Sequence, residues 1–386
     1  CGLIEPAAQV LGDARGGIAD RRRSSCPFDA GVSVGEPEKR SARKCRADGV
    51  QYVRRTNGET IVIGEGLELR DIWVARRRIA PYIRHTPLVR SPHLSDAIGT
   101  DAYLKLENLQ DIGAFKIRGA ANKILSLDSA ERARGVTTFS TGNHALAVSS
   151  VARSLGVRAV ICVSNRVPSV KIDAIRRYGA EIRVHGASQD DAEALCRRLA
   201  YEEGMTIVSP FDDPEVIAGQ GTIALELFED LPDLDMVVVP TSGGGLISGI
   251  AIGVKATHRY AIVCGVSMEQ GAAMRASIDA GRPVVLEEVD TLADSLLGGI
   301  GSNNKYTFSL VRDLVNDIVL IPEIAIANGM DFLFRYHRIA VEGAAATGVG
   351  ALLCGAIRVT SGHRVAVIIT GCNVDHDAFL KAIRQS

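Results

Sequence analysis

The chain has no run of about eighteen apolar residues, the length that a membrane-crossing helix requires. Nor does it carry, near residue 1, an apolar segment with the form of a secretory signal. A cytoplasmic location with no membrane partner is therefore expected. A charge bias is absent as well. The 44 Lys and Arg against 45 Asp and Glu leave a formal net charge of -1, which points to no nucleic-acid partner for the chain as a whole. Close cysteine pairs are also missing: Cys1, Cys26, Cys45, Cys162, Cys196, Cys264, Cys354 and Cys372 are scattered, without the spacing of zinc or thiol-exchange sites. Reduced thiols are expected. Cys162, Cys264 and Cys354, set among apolar neighbours, read as small core residues. No metal site is expected.

Two nucleotide-binding signatures are lacking too. No Gly-Lys-Ser/Thr follows a glycine run, which excludes a Walker loop. The best match to G-x-G-x-x-G runs Gly243, Gly245 and then Ser248, and no acid ends the next strand, so a dinucleotide fingerprint is not complete.

What is present divides into two unequal parts. With 386 residues and 46% hydrophobic content the chain can bury one large core or two modest ones, as a two-domain enzyme does. Residues 1 to about 66, with "DRRRSS" and "KRSARK", show no sustained hydrophobic period. They read either as a basic arm for an anionic partner or as a disordered extension, and the acids mixed in throughout favour the extension. From Leu67 apolar residues fall at helical spacing in "LELRDIWVARRRIAPYI", which predicts a helix ending near Pro81. Thereafter short β-branched runs ("RAVICV", "EIRV", "MVVVP", "AIVCGV", "RVAVIIT") alternate with segments of helical period ("SVKIDAIRRYG", "DDAEALCRRLAYEEG", "GTIALELFEDL"). Apolar strands between helices imply parallel sheets covered on both faces, an α/β, doubly wound fold.

In such sheets ligands bind where strands end and helices begin. Three junctions stand out. "PTSGGGLISG" follows the strand "MVVV", and its Ser242, Gly243, Gly244, Gly245 and Leu246 present backbone N–H groups at a helix start, as a phosphate cradle or simply a tight turn. "FSTGNHALA" offers Ser140, Thr141 and Asn143 side chains and the amides through Gly142 to His144, as a carboxylate site or a plain helix cap. His144 has no second histidine or acid at metal spacing and reads as structural. "IITGCNVD" delivers Thr370, whose hydroxyl could meet a ring nitrogen or cap the last helix.

Lys116 connects these junctions. It lies in "GAFKIRGA", and among apolar walls desolvation lowers an amine's pKa to give the neutral form that attacks carbonyls. A reactive amine, a phosphate cradle and a hydroxyl for a pyridine nitrogen together fit pyridoxal 5'-phosphate.

"GAFKIRGA", "STGNHALA", "PTSGGGL", "PFDDPEVIAGQGTIALE", "TLADSLLGGIG" and "ITGCNVD" stand in the order of the threonine/serine dehydratase and serine racemase family of fold type II pyridoxal-phosphate enzymes, which residues 67 to 386 resemble. On "AFKIRGA", "GVSMEQGAAM" and "TLADSLLGGIG" the chain is most similar to the hydroxyectoine-utilisation dehydratase branch. The resemblance implies a tryptophan synthase β-like fold of two doubly wound parallel-sheet domains. Residues 67–130 and 213–386 would form the large cofactor-binding domain and 131–212 the small one. Lys116 would join the cofactor covalently and move the proton at the substrate Cα. Phe115 would pack beside the cofactor ring, and Asn143 would contact its phenolic oxygen. Residues Ser140 to His144 would receive the substrate carboxylate, Ser242 to Leu246 the phosphate, and Thr370 the pyridine nitrogen. The expected reaction removes a β-hydroxyl from an amino acid to give a 2-oxo acid and ammonia, and a homo-oligomer is expected. The chain departs from relatives at Thr241-Ser242, where many have a further glycine, at Leu146 in place of glutamine, and at Ser267, beside Glu269, in place of a metal-binding glutamate. Thr141 stands where racemases carry a proton-donating serine. A racemase or hydroxyaspartate-type lyase is the rival, and a non-catalytic cofactor or amino-acid binding module the alternative of another class.

Overall fold

The computed structural model of the chain describes residues 66–384 apart from 141, 168 and 188, and omits the side chains of 169–171 and 189–190. The expected extension before Gly66 and the catalytic expectation for Thr141 lie outside the described residues. The first described helix, Leu69–Ile79, buries Ile72, Ala75 and Ile79 and ends where expected, two residues short of Pro81.

Ten strands follow: β1 (Leu88–Arg90), β2 (Asp101–Leu106), β3 (Val136–Thr138), β4 (Ala159–Val163), β5 (Glu181–Val184), β6 (Thr206–Ile207), β7 (Met236–Pro240), β8 (Ile262–Met268), β9 (Asp317–Ile321) and β10 (Arg364–Ile369). They form a six-stranded sheet in the order β1-β2-β10-β7-β8-β9 and a four-stranded sheet in the order β5-β4-β3-β6. Every pairing is parallel except β1 with β2. The reason for that exception is reach. Residues 91–100 are fewer than the dozen or so that a parallel crossover needs, so the chain doubles back. β4 and β7 are buried along their whole length, as unbroken apolar runs between two helical layers must be.

Three helices set the geometry of the site, Lys116–Ser126, Pro214–Asp230 and Gly245–Thr257. The middle one starts earlier than the periodicity of "GTIALELFEDL" indicates. Asp213 caps it by accepting from Glu215 N at 2.9 Å and Val216 N at 3.1 Å, with Pro214 at the first position. Its glycines are contact points. A Cβ on Gly219 would lie 2.6 Å from the Arg118 carbonyl oxygen, and one on Gly221 would lie 2.8 Å from the Gly249 carbonyl oxygen. A Cβ on Gly249 would in turn run into the Ile217 carbonyl. Missing side chains let the helices that begin at Lys116 and at the glycine loop both press onto the helix between them.

Arg118 answers for the other half of "KIRG". It is wholly buried, and its guanidinium donates to both oxygens of Glu107, at 2.7 Å each, and to Glu226 at 2.7 and 2.9 Å. Lys105, equally buried, donates to the Thr86 carbonyl at 2.6 Å and sits 2.7 Å from Glu226. Burial opposes the charge on Arg118, but Glu107 and Glu226 outweigh it and hold the guanidinium protonated above its ordinary range. Burial likewise works against Glu226, and Arg118 and Lys105 overcome it to lower its pKa. The Lys116 helix is thus tied to β2 and to the helix Pro214–Asp230 by paired, fully desolvated charges.

Cys162, Cys196 and Cys264 are buried free thiols, whereas Cys354 is exposed. The core role expected for Cys354 is corrected for a local reason: it lies at the C-cap of the helix Gly343–Leu353, where the chain turns out to solvent. Among the described residues no helix is long and apolar enough to cross a membrane.

Candidate active site

Two of the motifs are stitched together by the backbone. Ala114 and Gly371 form an antiparallel bridge, Phe115 N donates to Thr370 O at 3.0 Å, and Cys372 N donates to Gly113 O at 2.9 Å. Gly113 has φ 74, and a Cβ there would lie 2.8 Å from Asn373 Oδ1, so this crossing of "GAFK" and "TGCN" admits only glycine. The stitch places Lys116, the first residue of its helix, beside the end of β10.

The Lys116 residue keeps partial exposure, but its amine is enclosed and donates to the Pro210 carbonyl at 2.7 Å. Burial lowers its pKa to about 8, partly countered by the charge of Glu342. A sizeable neutral fraction therefore exists near neutral pH. Its nitrogen stands 5.3 Å from the centroid of the Phe115 ring.

The glycine loop is joined to Lys116 through Pro210 and its neighbour. A Cβ on Gly243 would lie 2.5 Å from the Phe211 ring, and one on Gly245 would lie 2.8 Å from Phe211 Cα and O. Gly244 adopts φ 89, a left-handed conformation natural to glycine, and begins the helix Gly245–Thr257 with no side-chain cap. The amides at this helix start, between half-buried Ser242 and buried Leu246, are thus left for a ligand of negative charge.

The "STGNH" junction also lacks a side-chain cap: Gly142 precedes the helix Asn143–Ser154, and Ser140 Oγ accepts only a long bond from Gly142 N, 3.4 Å. Among the described residues, then, no side chain caps this helix. His144 is buried, its Nε2 lies 2.9 Å from the Val208 carbonyl, and its Nδ1 has no partner. Burial, with help from Lys116, lowers its pKa to about 3, so the imidazole is neutral at working pH.

Thr370 is 3% exposed at the end of β10, and its Oγ1 has no hydrogen-bond partner. The last helix, His376–Ile383, is capped by Asp375, which accepts from Asp377 N at 2.9 Å and Ala378 N at 3.0 Å. Capping therefore does not explain Thr370. A buried orphan hydroxyl costs about 1–3 kcal/mol unless something meets it.

One residue of the site was absent from the sequence reading. Glu342, 4% exposed, accepts both Asn143 Nδ2 bonds, at 2.9 and 3.0 Å, and one from Ser295 Oγ at 3.3 Å. Its signal was a lone acid heading the otherwise apolar "GAAATGVGALL" helix. Burial raises its pKa to about 7; Asn143 works against the shift, Asp294 adds to it, and Ser295 and Lys116 oppose it. Ser267 is buried while Glu269 is exposed, and among the described residues no three His, Cys, Asp or Glu side chains gather as a metal site.

An enclosed amine of lowered pKa, a glycine turn that starts a helix without a side-chain cap and an orphan hydroxyl make a donor set that fits pyridoxal 5'-phosphate, which Lys116 would hold by its aldehyde, residues 242–246 by its phosphate and Thr370 by its ring nitrogen. Residues 79–371 match the model of the family described as "Pyridoxal-phosphate dependent enzyme". The chain is 41% identical over 309 residues to the L-threonine ammonia-lyase of Thermotoga maritima, covering 80% of this chain and 76% of that one. It is 36% identical over 316 residues to a serine racemase of Oryza sativa subsp. indica, covering 81% and 92%. The structure of maize serine racemase superposes with a TM-score of 0.78 at 33% identity, covering 83% of this chain and 98% of that one. On its matched residues and its fold alike, the chain belongs to the pyridoxal-phosphate dependent enzymes of fold type II, of which threonine dehydratases and serine racemases are members.

Proposed function

We propose that the protein is an ammonia-lyase that removes the β-hydroxyl and then the nitrogen of a hydroxy amino acid of the threonine/serine type, releasing a 2-oxo acid and ammonia. The observation that carries this reading is the enclosed Lys116 amine. Its pKa of about 8 lets it give up and take back a proton near neutrality, while Pro210 and Phe211 link it to the glycine loop and the bond from Phe115 N to Thr370 O brings its helix to the end of β10. Ammonia-lyase and racemase relatives support the reaction class.

Pyridoxal phosphate, when bound, supplies an aldehyde that takes up amines and a ring that withdraws electrons from the substrate Cα. Lys116 holds it and exchanges the proton at Cα. The segment from Ser140 to His144 would receive the substrate carboxylate, and neutral His144 adds no charge there. Phe115 would pack beside the cofactor ring and Asn143 would contact its phenolic oxygen. Thr370 offers a hydroxyl, which does not hold a ring nitrogen protonated as a carboxylate would. That weakens the electron sink and favours prompt loss of a β leaving group over transamination.

We read residues 67–130 with 213–386 as the large domain, 131–212 as the small one, the location as cytoplasmic and the working form as a homo-oligomer. The motifs "GVSMEQGAAM" and "TLADSLLGGIG" support a substrate drawn from hydroxyectoine utilisation. The rival reading, racemisation, is favoured by the serine racemase relatives. The test is direct. Wild-type protein is expected to be yellow and to release keto acid and ammonia from threonine, serine, hydroxyaspartate or a hydroxyectoine-derived amino acid, and Lys116→Ala to lose both colour and turnover. A colourless wild type, or inactivity on all four, overturns the lyase reading. A mirror-image amino acid as the sole product transfers it to the racemase.

A further inference from the structure

The Asn143 side chain is gripped at both ends. Its Nδ2 donates to the two Glu342 oxygens at 2.9 and 3.0 Å, and its Oδ1 accepts from Asn373 Nδ2 at 2.7 Å. Asn373 is itself anchored by donating to Ile112 O at 2.8 Å. Glu342 is held just as firmly. Its backbone N donates to Gly371 O at 3.3 Å, and its carboxylate lies in the space that any side chain at Gly371 would occupy. The acid therefore rests on the same short segment that delivers Thr370.

We propose that Glu342 is a positioning residue of the reaction: as a carboxylate it allows only one orientation of the Asn143 amide, and on taking a proton it releases that constraint and idles the site. The physical reason is a donor and acceptor count. A carboxylate only accepts, so turning the Asn143 amide over would set Oδ1 against it, oxygen to oxygen. A protonated Glu342 carries an O–H that can donate to Oδ1, and then Asn373 alone opposes the turn. The charged groups around Glu342 are Lys116 from its helix and Asp294 from the turn Asp294–Leu296, with the Cys372 thiol facing it from the exit of β10. Asp294 favours the neutral acid and Lys116 the charged one. Burial, and then Glu342 itself, raise the Cys372 pKa, so that thiol stays protonated and adds no charge of its own. Buried and lifted to about 7, Glu342 changes charge within the range in which the enzyme works.

The inference rests on the reading of this site as the place of reaction, and the experiment separates the two. On holoenzyme, kcat and the visible absorbance of the bound cofactor without substrate are measured against pH. Both are expected to show one acid-side midpoint near 7 in wild type. Asp294→Asn removes a repelling charge at an exposed position and is expected to move that midpoint down by about half a unit, while Ser295→Ala removes a donor and is expected to move it up by a similar amount. Glu342→Gln is expected to abolish the midpoint and lower kcat about tenfold, with KM within about threefold, because Glu342 acts on the Asn143 side chain and not on the backbone assigned to the substrate carboxylate. Glu342→Asp is expected to restore the midpoint. Should Glu342→Gln fail to fold, the two opposite shifts decide. Midpoints that stay put in Asp294→Asn and Ser295→Ala, or an acid limb that persists in Glu342→Gln, overturn the proposal while the site reading stands. Turnover and colour that survive Lys116→Ala overturn both.

Discussion

Lys116 and Glu342 move in opposite directions for one reason: each is buried, and burial penalises whichever form carries charge. Lys116 drops to about 8 and Glu342 climbs to about 7, so two groups that ordinarily titrate far apart come to titrate side by side. Thr370 shows the neutral counterpart. Its buried hydroxyl adds no stability to the cofactor-free chain, since among the described residues it has no hydrogen-bond partner. Thr370→Val, equal in shape, is expected to leave the melting temperature of cofactor-free protein unchanged or slightly raised. It is expected to weaken pyridoxal-phosphate binding about five- to tenfold, the worth of one hydrogen bond. Calorimetry on the cofactor-free protein and a binding titration check the pair. Equal affinity in both proteins would remove Thr370 from the site.

Elements are positioned by what their glycines omit. The helix after the glycine loop and the helix that begins at Lys116 both lie on Pro214–Asp230, at contacts where backbone meets backbone. Gly249→Ala puts a methyl against the Ile217 carbonyl and 2.6 Å from Gly221 N, in an interior with no room to yield. A loss of about 1–3 kcal/mol is expected in urea unfolding, together with weaker cofactor retention because the glycine loop is pushed off its seat. Loss of stability with unchanged retention would mean that the loop is held by something other than this helix pair. The glycine run itself was legible as a turn at a helix start. "GQG" in the middle helix was not, because a helix with small residues reads as a weak helix until its neighbour is known.

At the scale of the molecule, the helix that begins at Lys116 packs onto the four-stranded sheet through an apolar cluster that runs from Ile117 and Ile124 to Val148 and Ile161. Beside it stands the charged cluster of Arg118, Lys105, Glu107 and Glu226, with no solvent to screen it. Removing one member strands the others. Arg118→Met is expected to destabilise the protein by about 3–5 kcal/mol, measured by denaturant unfolding, because two buried carboxylates lose their main counter-charge. A change below about 1 kcal/mol would show that water or rearrangement replaces the guanidinium.

Local chemistry determined much of this protein from its sequence. Unbroken β-branched runs between helical periods specify parallel strands, and each of the three strand-end motifs lies at a helix start or strand end, with Thr370 at the end of β10. Lys116 stood out by its apolar, glycine-bearing setting taken together with the glycine loop and the hydroxyl of Thr370, since setting alone would not separate it from the buried, ion-paired Lys105. Tertiary structure decided the rest, where partners come from far along the chain. Glu342 lies 199 residues from Asn143, and Arg118 lies 108 from Glu226. No periodicity encodes such meetings. They exist only because the parallel sheets bring distant strand ends to one edge, where burial then sets which of the gathered groups carry charge.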